Sequence, residues 1–330
     1  MGSARLNAII RTDASVQIGM GHRVRCEVLS DALKLRGVDV TFAVHQYCSE
    51  FRRPMDFVFV NETEWHKRAV QADIVVLDHY GYDALQISKL FALNPNLLII
   101  DDNNNRGDLS CRWVLNPLPL SYSKAVQIPL TGPDFALLRP HFIQARERQV
   151  EIRDKLLVTF GGTDPLELTL PFLKSLIKRQ FPVQLIVVMV GSGTEKTQEI
   201  EEFCRHTNIG CHVAVNDVSK LMMRSRYAIS AAGGTLFELA CMGVPAHFIQ
   251  VADNQRDSLE EHVALGWCVS TNFVNCSPDG KSALVDEVVG GVLQAWQTDL
   301  STASNLARSC IDGLGVQRIV DVVLSTRLKR

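Results

Sequence analysis

Residues 156–165, LLVTFGGTDP, decide the fold class. A short Leu- and Val-rich run meets two glycines, and a helical pattern opens after Pro165. The stretch therefore reads as a buried strand, a tight turn and a helix start. The same order returns at 227–245, YAISAAGGTLFELACMGVP, and at 11–26, RTDASVQIGMGHRVRC, where a strand gives way to Gly19, Gly21 and a helix. Outward from these, strands are expected near 6–12, 38–44, 56–60, 73–78, 97–101 and 112–115, with helices near 22–36, 63–71 and 83–92. A second series follows, with strands near 155–160, 184–190, 211–215, 227–230 and 246–250 and helices near 167–178, 194–206, 234–242, 256–264 and 281–295. Strands alternating with longer helical segments mark parallel α/β architecture with crossover helices. Between the two series, residues 139–155, RPHFIQARERQVEIRDK, are dense in charge and poor in apolar periodicity, so they read as a boundary. The expectation is two Rossmann-like domains, residues 1–148 and 149–330, with functional residues in loops at the carboxyl ends of the strands.

Composition agrees with two domains, since 330 residues at about 150 per domain leave little room for a third. A chain that is 46% hydrophobic and 21% charged buries ample apolar surface and is not disordered. Its net charge of -2 supplies no global positive field for a polyanion, so nucleic acid is not expected as a partner. Nine cysteines without any Cys-x-x-Cys spacing, in a chain too large to need disulfide staples, fit a reducing cytoplasm. The first residues offer only three or four apolar positions before Arg11 and Asp13, which suits a strand better than a signal-peptide core. No apolar run approaches the ~20 residues that span a bilayer, so no integral membrane segment is expected.

Several loops carry residues suited to chemistry. Gly19 and Gly21 allow a tight turn, and His22 falls at a helix start, where the positive helix end disfavours imidazolium and leaves a base able to accept a proton. Asp13, at the end of the preceding strand, is placed to orient that ring. The spacing also suits a plain turn with a polar cap. It fails the G-x-G-x-x-G pattern because position 24 is Val, so a nicotinamide dinucleotide is not favoured. Asp78-His79-Tyr80-Gly81 closes the strand IVVL and could meet sugar hydroxyls or water, or simply cap the next helix. Asp101-Asp102 lacks further ligands at metal spacing, and no metal is read there. Gly161-Gly162-Thr163 and Gly233-Gly234-Thr235 each open a helix, where bare N–H groups suit a diphosphate, and Glu238 could accept from ribose hydroxyls. No Lys follows either glycine pair, so neither is a P-loop. Asn254 and Gln255, after the strand AHFIQ, could place an amide on phosphate or sugar.

Taken in order, IRTDAS…GMGHRVRC (10–26), LDHYGYD (77–83), IIDD (99–102), GPDFALLRPHF (132–142), VTFGGTDP (158–165), SAAGGTLFELACMGVP (230–245), ADNQ (252–255) and DGLGVQRI (312–319) resemble the UDP-2,4-diacetamido-2,4,6-trideoxy-β-L-altropyranose hydrolases of pseudaminic acid biosynthesis and their spore-coat polysaccharide relatives. The resemblance covers nearly the whole chain. It implies a GT-B-like fold, with two Rossmann-like domains facing across a cleft and the nucleotide on the second. It further implies hydrolysis of a UDP-linked amino sugar without metal or other cofactor, and the chain is expected to be a cytoplasmic monomer. Water would attack the anomeric carbon, with inversion. In that scheme His22 is the base, with Tyr80 beside it, and Glu238 and Asn254 hold the nucleotide. The two glycine loops hold its phosphates, Arg139 faces sugar or phosphate, and Phe237 stands where such chains usually carry Trp. A UDP-dependent transferase of the MurG-like branch, or a nucleotide-sugar binding protein without catalysis, would share many of these features. The first would need an acceptor site, with an exposed apolar and basic patch for a lipid acceptor.

Overall fold

The computed structural model describes residues 5–14, 20–48, 52–148 and 152–329, so Gly19 lies outside the described residues. The chain divides into two compact units, Met1–Arg139 with Gly313–Arg330, and Pro140–Asp312.

The first unit runs β1 (Asn7–Thr12), α1 (Gly21–Leu35), β2 (Asp39–His45), β3 (Phe57–Phe59), α2 (Glu62–Gln71), β4 (Ile74–Asp78), α3 (Ala84–Leu93), β5 (Leu97–Ile100), β6 (Cys111–Asn116) and β7 (Val126–Thr131). Its described strands form one sheet in the order β3-β2-β1-β4-β5-β6-β7, with every pairing parallel. Parallel strands under helices on both faces must be apolar on both sides, and all of β4 is buried. Alternate residues serve opposite faces: Ile10, Val76 and Leu98 pack under α1, while Ile9, Val75, Leu77 and Ile99 pack under α2 and α3 around Trp65, Ile87 and Leu90. Chain order reverses between β1 and β4, where Thr12 lies opposite Asp78. That reversal opens the crevice in which such sheets bind ligands.

The second unit begins with α4 (His141–Glu147) and continues through β8 (Lys155–Thr159), α5 (Thr169–Lys178), β9 (Ile186–Val190), α6 (Thr197–Thr207), β10 (Gly210–Val213), α7 (Ser219–Arg224), β11 (Ser225–Ala231), α8 (Gly234–Met242), β12 (Ala246–Gln250), α9 (Arg256–Ala264), β13 (Cys268–Asn272), α10 (Pro278–Trp296) and α11 (Ser301–Cys310). Its sheet, β10-β9-β8-β11-β12-β13, is again parallel and reverses between β8 and β11.

The last helix, α12 (Gly315–Thr326), joins the first unit rather than the second domain in which the sequence reading placed it. Val316, Ile319, Val320 and Val323 recur at helical spacing and enter the α1 face of the first core, a burial worth roughly 1.5–3 kcal/mol per side chain. Trp113 Nε1 and Arg112 Nε donate to Thr326 at 2.9 and 2.8 Å. Gly315 lets the helix start against the Ala136 backbone, since a Cβ there would lie 2.2 Å from the Ala136 carbonyl oxygen. The charged stretch expected as a boundary also contains α4, whose Phe142 and Ala145 are buried and whose Arg146 donates to Cys241 O and Ile311 O at 2.7 and 2.9 Å. No helix among the described residues is long and apolar enough to cross a membrane.

Two histidines of the second unit tie its stability to pH. His247 on β12 meets Thr271 Oγ1 at 2.8 Å, and His262 on α9 accepts from Trp267 Nε1 at 3.1 Å through Nδ1. Burial pushes each imidazole from an ordinary 6.5 down to about 4. The unfolded chain then binds the proton first as pH falls, so stability is full above about pH 6.5 and declines toward pH 4. At about 1.4 kcal/mol per pH unit, the loss is roughly 3 kcal/mol per histidine. Urea midpoints should therefore fall between pH 7 and 4, and the His247→Gln, His262→Gln double variant should show a clearly flatter fall. An unchanged slope in the double variant would contradict this account.

Candidate active site

The reversal point of the second sheet carries both glycine pairs. Gly161 has φ +76°, a conformation that suits glycine. At Gly162, Gly233 and Gly234, φ is not positive, and a Cβ on any of the four glycines would meet nothing within 4 Å. For Gly162 and Gly234 neither a positive φ nor packing calls for glycine, and the open faces suit close approach by a ligand; Gly233, with φ −81° and ψ −147°, lies outside the usual β and α regions. Gly233 caps α8 without a side-chain hydrogen bond, leaving that helix start to backbone donors alone. Thr235 is buried in the first turn. Asp164 fixes the other turn by accepting from Leu168 N, Thr169 N and Thr169 Oγ1 at 2.8, 3.0 and 2.6 Å. The turn also leans on a segment that the sequence reading passed over, Gly191-Ser192-Gly193. Gly193 N donates to Gly162 O at 2.9 Å, and a Cβ on Gly191 would lie 2.3–2.4 Å from the Gly162 and Gly161 carbonyl oxygens. The available signal was Gly-x-Gly directly after the apolar run 185–190.

Further residues flank this reversal. Glu238 sits half-buried in the second turn of α8, not the first, and Phe237 beside it meets the His262 ring edge-on at 5.7 Å. Asn254 and Gln255 lie in the short turn Asp253–Gln255. Gln255 Oε1 accepts from Val251 N at 2.9 Å, so that oxygen closes its own loop. Arg139 is half-buried and ends the first segment of the first unit.

The reversal point of the first sheet holds a pocket of about 150 Å³ lined by Asp13, His22, Asp78, His79, Tyr80 and Gly81. His22 is the second residue of α1, and Gly21 before it has open space where a side chain would stand. The residue that orients His22 is Asp78, whose Oδ1 lies 2.6 Å from Nδ1, and not Asp13 as the sequence suggested. The two aspartates follow neighbouring strands, but the oxygens of Asp13 are already taken. Arg11 contacts them at 2.6 and 2.8 Å, His45 N donates at 3.0 Å, His79 Nε2 lies at 3.1 Å and the Tyr47 hydroxyl also donates. Burial alone would raise the Asp13 carboxyl, but His79, Arg11 and Tyr47 outweigh it and hold it well below the usual carboxylate range.

Asp78 and Asp102 share one guanidinium. Arg25 Nε and Nη2 donate to Asp78 at 2.6 Å each, and Nη1 donates to Asp102 at 2.7 and 3.0 Å. Burial pushes both carboxyls up, yet Arg25 holds each below its ordinary value. The Tyr80 hydroxyl donates to Asp102, and its ring stands edge-on to His22 at 4.6 Å. Asp101 turns elsewhere, to Arg106 at 2.7 Å and the Tyr122 hydroxyl at 2.7 Å. Asp78 Oδ1 and Arg25 Nη2 both approach His22 Nδ1, at 2.6 and 3.0 Å; a proton on Nδ1 satisfies the nearer carboxylate oxygen and leaves Nε2 its lone pair. A larger cavity of about 390 Å³ between α5 and α10 is unrelated to either reversal point; of its lysines, Lys281 bonds Leu166 O at 3.0 Å and Lys178 lies 3.7 Å from Asp286.

No protein-family model matches the chain. It is 23% identical to the spore coat polysaccharide biosynthesis protein SpsG of Bacillus subtilis, over 95% of this chain and 96% of that one. It is 24% identical to the UDP-2,4-diacetamido-2,4,6-trideoxy-β-L-altropyranose hydrolase of Campylobacter jejuni, over 77% of this chain and 94% of that one. Among solved structures, MurG of Acinetobacter baumannii superposes with a TM-score of 0.67 at 16% identity, over 98% of this chain and all of that one. The chain thus has the GT-B fold, and its curated homologues include the altropyranose hydrolase of Campylobacter and the spore-coat protein of Bacillus.

Proposed function

We propose that the protein hydrolyses a UDP-linked diacetamido-trideoxy sugar to UDP and free sugar in pseudaminic acid biosynthesis. The observation that carries the reading is the 2.6 Å contact between His22 Nδ1 and Asp78, which with a proton on Nδ1 leaves the opposite ring nitrogen to accept one within a small pocket at the strand ends. In this scheme Nε2 takes a proton from water as the water oxygen bonds the anomeric carbon. The bond from that carbon to the diphosphate oxygen breaks, and its electron pair leaves with UDP. Attack on the face opposite the leaving group inverts the centre. Leaving-group charge is met by backbone donors at Gly161–Thr163 and at the start of α8, with Glu238 and Asn254 on the nucleoside and Arg139 adding positive charge, so the chain's own groups suffice without a metal. The names of the homologues support the substrate class.

The fold shared with MurG favours a second reading, in which the same nucleotide sugar is transferred to an acceptor other than water. Product analysis separates the two. NMR of the anomeric proton and of phosphorus during incubation with the UDP-diacetamido sugar should show UDP and inverted free sugar without added acceptor, and EDTA should leave the rate unchanged. Turnover that begins only when an acceptor is added would instead establish transfer. His22→Ala should lower kcat by about 10²–10⁴-fold, and a wild-type rate in that variant would remove the proposed base.

The glycines allow a test of the nucleotide seat. Because a Cβ at Gly234 meets no protein atom within 4 Å, Gly234→Ala should fold with an unchanged or slightly raised melting temperature while binding UDP at least about tenfold more weakly in calorimetry. Unaltered UDP affinity would show that the open face is not where the diphosphate lies.

A further inference from the structure

We propose that Arg25 is a positioning residue that joins His22 and Tyr80 into one rigid unit, holding Asp78 beneath the imidazole and Asp102 beneath the phenol. The inference rests on the proposed role of His22 as base. Arg25 stands one turn after His22 on α1, so both side chains leave the same face of the helix. Three of its nitrogens are engaged: Nε and Nη2 on Asp78, and Nη1 on Asp102. Asp78 ends β4 and Asp102 follows β5, and these strands are hydrogen-bonded neighbours. One planar fork therefore spans two adjacent strand ends, a geometry that a lysine, as a point charge, cannot reproduce.

The charge has a second effect. Arg25 Nη2 lies 3.0 Å from His22 Nδ1 while donating to the same Asp78 oxygen that Nδ1 meets. Without that cation, Asp78 would face the ring as an uncompensated buried carboxylate, which is costly and would not hold one geometry. Among the described residues, the charged or titratable groups around His22 are Asp78 at the end of β4, Arg25 and Cys26 on α1, Tyr80 in the loop after β4, Asp102 beyond Arg25, and Asp13 with His79 across the pocket. Asp13 is neutralised by Arg11, so Arg25 is the cation that balances the carboxylate touching the ring.

The test uses the full chain with Arg25→Lys, Arg25→Gln, Asp102→Asn and Tyr80→Phe. Arg25→Lys should lower kcat by about 10–100-fold while KM stays within about threefold, because alignment is lost and the nucleotide seat is not. Arg25→Gln, which removes the charge as well as the fork, should lower kcat at least as far as Arg25→Lys. Asp102→Asn and Tyr80→Phe should be non-additive in kcat, since the tyrosine is held through the aspartate. Independently of turnover, ¹⁵N imidazole resonances should show His22 protonated at Nδ1 in the wild type and a mixed tautomer in Arg25→Lys. Arg25→Lys with kcat within twofold of wild type, or a wild-type His22 protonated at Nε2, would overturn the clamp. If the arginine variants fail to fold, an additive Asp102–Tyr80 cycle would overturn it. Absence of wild-type hydrolysis would instead remove the proposed reaction, leaving the tautomer measurement to decide the clamp.

Discussion

One guanidinium set between two buried carboxylates governs the strand ends of the first unit. Moving ions out of water costs several kcal/mol each, and the cost is offset only when geometry is close and the remaining lone pairs are satisfied. Asp78 meets that condition with three nitrogen contacts at 2.6 Å and a thiol at 3.4 Å. Asp13 meets it separately, with Arg11 from its own strand. A pocket walled by two compensated carboxylates can be rigid. That rigidity gives the imidazole one direction in which to present its lone pair.

The second unit solves its problem in the opposite way. Its reversal point carries exposed peptide groups at four glycines whose missing side chains leave open space. In the proposed scheme the diphosphate meets backbone N–H donors there rather than a buried countercharge. The turn around Gly161 and Gly162 is kept in place by Asp164 from one side and by Gly191 and Gly193 from the other. Each unit thus places a different chemistry at the same topological position of the same sheet design.

Much of this was legible in the chain, and what was not has physical reasons. Apolar runs such as IVVL and LLVTF announced parallel strands because both of their faces are buried, and the glycine turns and His22 stood where strand meets helix. The partner of His22 was misread because sequence proximity favours Asp13. The parallel register instead brings the end of β4 beside the end of β1, and Arg11 takes Asp13. Helix α12 was missed as part of the first unit because its apolar stripe, Val316 to Val323, says that a core receives it and not which core. Strand β7 carries Pro129 and alternating exposure at the sheet edge, a weaker pattern than the central strands show. The Gly191 loop went unread because its glycines serve another loop's backbone, a contact that no local pattern encodes.

The first unit's pocket is small, and its walls brace one another. It measures about 150 Å³ and opens to solvent at the strand ends. Its walls resist widening. Gly81 N donates to His79 Nδ1 at 2.9 Å, and a Cβ on Gly81 would lie 2.7 Å from the His79 ring, so turn and ring fix each other. With Nδ1 accepting from the backbone and Nε2 facing Asp13, His79 has no nitrogen to offer as a base. In the proposed scheme the base is therefore His22, whose Nδ1 is engaged by Asp78. The GT-B fold that the chain shares with MurG is compatible with either acceptor, and the reaction is decided by its products rather than by the scaffold.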